Sequence, residues 1–175
     1  MMVVWIRTNY TYLALVPKKN NPLSVSNFRP ISLCNVVYKI LSKVMANRLK
    51  IVLPSIISCN QSAFVPGRLI SDNILGAYET LHTMHTHMHG RVGYMAVILD
   101  MSKAYNRVEW VFLEETMKKL GFDNKWVALV MKCVTSMSYS ILVNRSLVGL
   151  IKPSRGIKQG DPLSPYLFSI ECRGT

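Results

Sequence analysis

The sequence lacks the features that define several broad classes of protein. Its uninterrupted apolar runs, such as Tyr94–Leu99, are far shorter than the roughly 18 residues that span a bilayer. The apolar stretch at the N-terminus is too short for the core of a signal peptide. The four cysteines have no metal-type spacing, which indicates free thiols in a reduced, intracellular protein. These absences exclude a membrane-spanning protein and a disulfide scaffold.

Acidic residues are also scarce. The 175 residues include 21 Lys and Arg but only 9 Asp and Glu, which gives a formal net charge of +12. Half of the residues are hydrophobic, so the chain is expected to bury a core rather than to be disordered. The excess of positive charge favours a polyanionic partner, with nucleic acid ahead of an acidic membrane surface.

The spacing of apolar residues predicts an α+β chain without the regular alternation of a doubly wound sheet. The predicted strands are Tyr12–Pro17 and Phe28–Leu33 in one hairpin, the doubly covered strand Tyr94–Leu99, and Tyr139–Asn144 and Leu147–Lys152 in a second hairpin. The predicted helices run from an Asn35 N-cap to Pro54, over Ile70–Met88, Glu109–Leu120 and Asn124–Met137, and briefly after Pro162.

Asp100 stands out because it directly follows the apolar run. A carboxylate at the end of a buried strand is costly unless something compensates its charge. A divalent metal ion is one compensation, and backbone N–H groups of a following turn are another. Tyr105 lies five residues further on, where its ring is either near a ligand of Asp100 or an ordinary core aromatic.

Two further segments combine cations with groups that suit an anionic ligand. Arg155–Pro165 places two glycines, Lys158 and Gln159 before a helix N-terminus, although a plain hairpin exit gives the same pattern. Asn27–Leu33 contains Arg29, whose guanidinium matches phosphate oxygens, and the predicted pairing places Lys18 and Lys19 at the same edge. For the two lysines a solvated basic surface is the alternative.

Two other segments carry weaker signals. The loop Gln61–Arg68 combines an amide, an aromatic ring and a cation around a glycine. Four histidines cluster near the end of the second predicted helix, and we interpret them as a solvated helix end because no further zinc ligands are in register: His82, His85, His87 and His89.

Five motifs in order resemble the reverse transcriptase of plant LINE-type (non-LTR) retrotransposons. The resemblance covers the chain from about Tyr10 to Ile170. The motifs are Leu15–Lys18, Phe28–Leu33, Asn60–Arg68, Leu99–Tyr105 and Arg155–Pro165.

The resemblance implies an RNA-directed DNA polymerase that transfers nucleotides with two Mg²⁺ ions, held by Asp100 with the Met101 carbonyl nearby. Tyr105 would then be a steric gate against the ribose 2′-hydroxyl, and Gln159 and Gly160 would contact nucleotide and template. The triphosphate of a deoxynucleotide would be held by Arg29 and Lys18. The RNA template and DNA primer would be bound by four cations: Arg68, Lys103, Arg155 and Lys158.

The implied fold is a right-hand polymerase. Residues 1–90 would be fingers-like, 91–108 and 154–175 would be palm, and 109–153 would return to the fingers. The family acts in the cytoplasm and nucleus, without a membrane. The resemblance says nothing about the oligomeric state.

The sequence also departs from the family pattern. It has no Asp-Asp pair, so the Tyr-x-Asp-Asp hairpin that supplies further metal ligands is missing, as is the thumb. Asn106 replaces a common aspartate that is not a metal ligand. We therefore expect an N-terminal fragment that is inactive by itself. The alternative is a non-catalytic, basic nucleic-acid-binding remnant of a degenerate retroelement.

Overall fold

The computed structural model describes residues 9–86 and 93–172. These parts form a mixed α and β structure, which confirms the predicted α+β class. The strands are β1 (Tyr10–Pro17), β2 (Phe28–Leu33), β3 (Ser138–Val143) and β4 (Ser146–Ile151). The helices are α1 (Val36–Ile56), α2 (Ile70–Thr86), α3 (Ala104–Arg107), α4 (Trp110–Lys119), α5 (Asn124–Thr135) and α6 (Ser164–Glu171).

The four strands form one sheet in the order β2-β1-β3-β4. The β1–β2 and β3–β4 pairs are antiparallel, as predicted, whereas β1 and β3 are parallel. The turn between β3 and β4 contains Asn144 and Arg145 with φ of 48° and 66°. Positive φ at both central residues is what a tight hairpin turn requires, because its twist then matches that of the strands.

The hydrophobic core lies between the helices. Helix α4 packs against α5 and α6, and α6 also contacts α1. The side chains of Leu53, Leu113, Val130 and Ile170 in these four helices are completely buried. Burial of such side chains is the main force that holds the helices together.

Helix α1 begins as the sequence predicts, because the Asn35 side chain accepts a hydrogen bond from Val37 N at 2.9 Å. The helix continues to Ile56 instead of ending at Pro54. Pro54 lies in the last turn, where its missing N–H removes only one backbone hydrogen bond.

Helix α2 was predicted as amphipathic, but it has no buried residue. Ile74, Tyr78 and Leu81, on its predicted apolar side, are exposed. The predicted end at Met88 and the histidines His87 and His89 lie outside the described residues. None of the helices in the described ranges is both long and apolar enough to cross a membrane.

The strand predicted over Tyr94–Leu99 is wrong. Residues 93–101 have no regular secondary structure, and the side chains of Ile98 and Leu99 are 91% and 90% exposed. A strand needs a neighbour to pair its backbone N–H and C=O groups. No strand in the described ranges pairs with this segment, so the apolar pattern alone does not produce a strand.

Candidate functional site

A cleft of about 530 Å³ lies between the β1–β2 hairpin, helix α3 and the loop before α6. Residues that are far apart in the sequence line it together. Five of the residues predicted to bind nucleotide or nucleic acid are among them: Lys18, Arg29, Lys103, Tyr105 and Gln159.

The cationic side of the cleft is built by the β1–β2 hairpin. Antiparallel pairing sets Val16 opposite Arg29, so Arg29 lies close to the end of β1. Lys18 directly follows the last residue of β1. Its backbone N donates to Asn27 O at 2.8 Å, and its Nζ donates to Ser26 O at 3.0 Å. Two cations therefore meet at one end of the cleft, which suits an anionic ligand.

Tyr105, on α3, also lines the cleft. Its ring stacks on Phe168 of α6, with the ring centroids 5.4 Å apart and the planes 17° from parallel. Partial burial raises the pKa of the Tyr105 phenol above its ordinary value, so it stays neutral. Lys103, directly before α3, has a left-handed backbone with φ of 55°.

The Arg155–Gly160 loop is pressed against α3. Gly156 N donates to Val108 O at 2.7 Å, and Ile157 N donates to Tyr105 O at 2.8 Å. Gly156 has φ of 87°, and a Cβ there would lie 3.1 Å from the Asn106 Cα. Only glycine allows both this backbone conformation and this close approach.

Further along the same loop, Gln159 and Gly160 contact the hairpin. Gln159 O accepts a hydrogen bond from Ser32 N at 2.9 Å. Gly160 has φ of 97°, and a Cβ there would lie 3.5 Å from Ser32 O. The loop therefore joins α3 to β2 and holds Gln159 at the wall of the cleft.

Asp100 and Met101 lie outside the lining of this cleft. Both residues are exposed in the irregular segment that precedes α3. Within residues 9–86 and 93–172, no group of three or more His, Cys, Asp or Glu side chains could hold a metal ion. The residues described do not make a complete divalent-metal site, so the predicted Mg²⁺ ligands remain a prediction.

The cations predicted to bind nucleic acid have different surroundings. The Arg68 guanidinium donates to Ser58 O and to Gln61 O, the latter at 2.8 Å, and thereby fixes its own loop. This loop borders a separate, more polar hollow of about 730 Å³ that extends along α2. Arg155 is exposed and forms an ion pair with Glu109 at 3.1 Å.

Lys158, which is predicted to bind nucleic acid, is buried and only 3% exposed, and its role in binding stays a prediction. Its ammonium donates to Thr11 Oγ1 at 2.7 Å and to Asn9 O at 3.2 Å, and also to Asn9 Oδ1. It lies 4.0 Å from the centroid of the Tyr38 ring. These contacts hold the ammonium inside the protein.

Sequence reasoning also missed the apolar wall of the cleft. Leu13 and Ile141 line it side by side, because they are register partners in the parallel pairing of β1 with β3. No local pattern indicates this pairing, since the two strands are more than a hundred residues apart. Phe28 and Leu15 complete the same wall.

The sequence profile of the reverse transcriptase (RNA-dependent DNA polymerase) family matches residues 16–172. The chain therefore belongs to the reverse transcriptase family. This confirms the predicted resemblance, and the matched range contains every residue of the cleft except Leu13 and Leu15.

The relatives are proteins of transposable elements. The chain is 35% identical over 160 residues to the transposon TX1 uncharacterized 149 kDa protein of Xenopus laevis. This alignment covers 90% of the chain and 12% of the Xenopus protein. It is 31% identical over 157 residues to the retrovirus-related Pol polyprotein from the type-2 retrotransposable element R2DM of Drosophila melanogaster, with 89% and 14% covered. The corresponding polyprotein of element R2 in Popillia japonica is 28% identical, with 89% and 21% covered.

These relatives confirm the prediction of a reverse transcriptase domain of a LINE-type element. The chain spans between 12% and 21% of the length of these three relatives. The predicted plant origin remains a prediction.

Proposed function

We propose that the cleft binds the incoming deoxynucleoside triphosphate of RNA-directed DNA synthesis. The observation that carries this proposal is the convergence of Lys18, Arg29, Tyr105 and Gln159 on one cleft. Three segments, separated by at least 50 residues in sequence, supply these side chains. Their types suit a nucleotide: two cations for phosphates, a flat ring for a sugar, and an amide for hydrogen bonds.

Each side chain has a role that follows from its place. Arg29 and Lys18, at the turn end of the hairpin, hold the triphosphate. Tyr105, held against Phe168, supports the sugar and excludes a ribose 2′-hydroxyl by its bulk. Gln159, fixed through its own carbonyl, contacts the nucleotide or the template base beside Gly160.

We further propose that the polymerase reaction of the family uses Mg²⁺ at Asp100, with the Met101 carbonyl nearby. Phosphoryl transfer of this kind depends on positioning and on neutralising charge. Asp100 follows an exposed apolar segment, and the 175 residues contain no Asp-Asp pair.

RNA template and DNA primer are the proposed macromolecular partners, bound by exposed cations such as Lys103 and Arg155. In the right-hand arrangement, residues 1–90 and 109–153 form the fingers, and 91–108 and 154–175 belong to the palm. The parallel pairing of β1 with β3 supports placing the first two ranges in the same part of the molecule. Salt-sensitive binding follows from phosphate contacts.

The test is binding of dATP to purified protein by equilibrium dialysis with Mg²⁺ present. Arg29→Ala removes a charge-assisted contact, and we expect affinity to fall about tenfold or more. Arg48→Ala is the matched control, because Arg48 is exposed on α1 and borders a different hollow with Trp126. Equal affinity of the two variants would contradict the proposal.

A non-catalytic nucleic-acid-binding role is the second candidate, and the net charge of +12 favours it. Two results together would support this role instead. The protein would bind RNA in a salt-dependent way that Asp100→Ala does not change, and it would not bind dATP.

A further inference from the structure

Lys158 is a buried residue of the Arg155–Gly160 loop, yet no step proposed above uses it. Its Nζ donates to Thr11 Oγ1 at 2.7 Å and to Asn9 O at 3.2 Å, at the beginning of β1. The same ammonium lies over the ring of Tyr38 on α1, 4.0 Å from its centroid. A lysine is rarely this deeply buried unless its charge has such partners.

The acceptors of Lys158 are themselves held firmly. The Asn9 side-chain amide donates to Cys133 O at 2.8 Å and to Ser136 Oγ at 2.8 Å, at the end of α5. Tyr38 donates through its hydroxyl to Asp161 at 2.7 Å. Lys158 therefore connects its loop to β1 and α1 directly, and to α5 through Asn9.

The neighbours of Lys158 offset only part of the cost of burying its ammonium. Burial lowers the pKa of Lys158 from its ordinary value, while Cys34, Asp161 and Cys133 act in the opposite direction. The Asp161 carboxylate also accepts a hydrogen bond from Leu163 N at 3.2 Å, just before α6. The cation and the carboxylate thus flank Gln159 and Gly160 in sequence, and both contact Tyr38 of α1.

We propose that Lys158 is a positioning residue, which fixes the Gln159–Gly160 loop so that Gln159 reaches the nucleotide cleft. This inference rests on the proposed nucleotide binding. Gln159 is the next residue and lines the cleft, and its carbonyl accepts from Ser32 N at 2.9 Å. One side of the loop is held by the Lys158 ammonium inside the protein and the other by β2.

The proposal makes a specific prediction about two substitutions. Lys158→Met removes the ammonium but keeps an unbranched apolar side chain, and we expect dATP affinity to fall about tenfold, as for one lost hydrogen bond. If Lys158 acts through Gln159, the same substitution has little further effect in a Gln159→Ala background. The effects of two substitutions on the binding free energy do not add when the two residues act through each other.

The experiment measures dATP dissociation constants of the wild type, the two single variants and the double variant, with Mg²⁺ present. Leu53→Ala is the control for stability, because Leu53 is completely buried in α1 and does not line the cleft. Lower stability with unchanged dATP affinity is expected of this control. If Lys158→Met fails to fold, Thr11→Val removes one acceptor of Lys158 and is measured in the same cycle.

The expected result is a loss of affinity on Lys158→Met or Thr11→Val that disappears when Gln159 is already alanine. Additive losses, or unchanged affinity in the Lys158 variant, would overturn the positioning role while leaving nucleotide binding intact. If the wild type itself does not bind dATP, the proposed function fails and this inference fails with it.

Discussion

Replacing Gly156 with alanine tests whether the Arg155–Gly160 loop must lie directly on α3. Gly156 has φ of 87°, and adopting a left-handed backbone costs an L-residue about 1–2 kcal/mol. The added Cβ would also lie 3.1 Å from Asn106 Cα and 3.2 Å from Tyr105 O. These are backbone atoms and cannot rotate away, so overpacking adds about 1–3 kcal/mol.

The expected total loss of unfolding free energy is about 2–5 kcal/mol, the sum of the two contributions. Gly121→Ala is the matched control, since Gly121 has φ of 82° with no heavy atom within 4 Å of the added Cβ. The control therefore loses about 1–2 kcal/mol from backbone strain alone.

The assay is urea unfolding followed by circular dichroism, with both variants measured against the wild type. At this chain length each kcal/mol lowers the melting temperature by roughly 2–4 °C, which gives a second reading. If the two variants lose the same stability, the close approach of the loop to α3 is refuted.

Three further predictions address reactivity, specificity and activity. When the folded protein is treated with iodoacetamide at pH 8, we expect alkylation of exposed Cys59 but not of Cys133. Cys133 is buried, and burial raises the pKa of its thiol to about 12. Peptide mapping that finds Cys133 alkylated in the absence of denaturant would contradict the burial of this residue in the core. Tyr105→Ala is expected to reduce the preference for dATP over ATP in equilibrium dialysis, and an unchanged preference contradicts the steric role of the ring. In a primer-extension assay with Mg²⁺ and deoxynucleotides, the 175-residue polypeptide alone is expected to incorporate nothing, and incorporation that Asp100→Ala abolishes would contradict this expectation.

The sequence predicted the parts of the fold that depend on neighbouring residues. Asn35 identified the beginning of α1, because an amide side chain caps the first turn. The strands of the two hairpins were found from short, mostly apolar segments with turn residues between them. Their parallel association through β1 and β3 could not be found, because it depends on contacts between residues that are far apart in the sequence.

The candidate site was predictable to a similar extent. The resemblance to a family identified Arg29, Tyr105 and Gln159, and the structure brings them to one cleft. The burial of Lys158 could not be foreseen, because a lysine in a glycine-containing loop is usually exposed, and its buried acceptors lie near the opposite end of the chain. The Tyr94–Leu99 segment was misjudged because apolar composition indicates a need for burial but not the presence of a pairing strand.

The most direct test of the cleft is photo-cross-linking with an azido-substituted dATP, followed by peptide mapping. The account predicts labelled peptides from the hairpin around Lys18 and Arg29 and from the α3 region around Tyr105, with labelling suppressed by unmodified dATP. Labelling that falls instead on the hollow between the Gln61–Arg68 loop and α2, or that unmodified dATP does not suppress, would contradict nucleotide binding at this cleft.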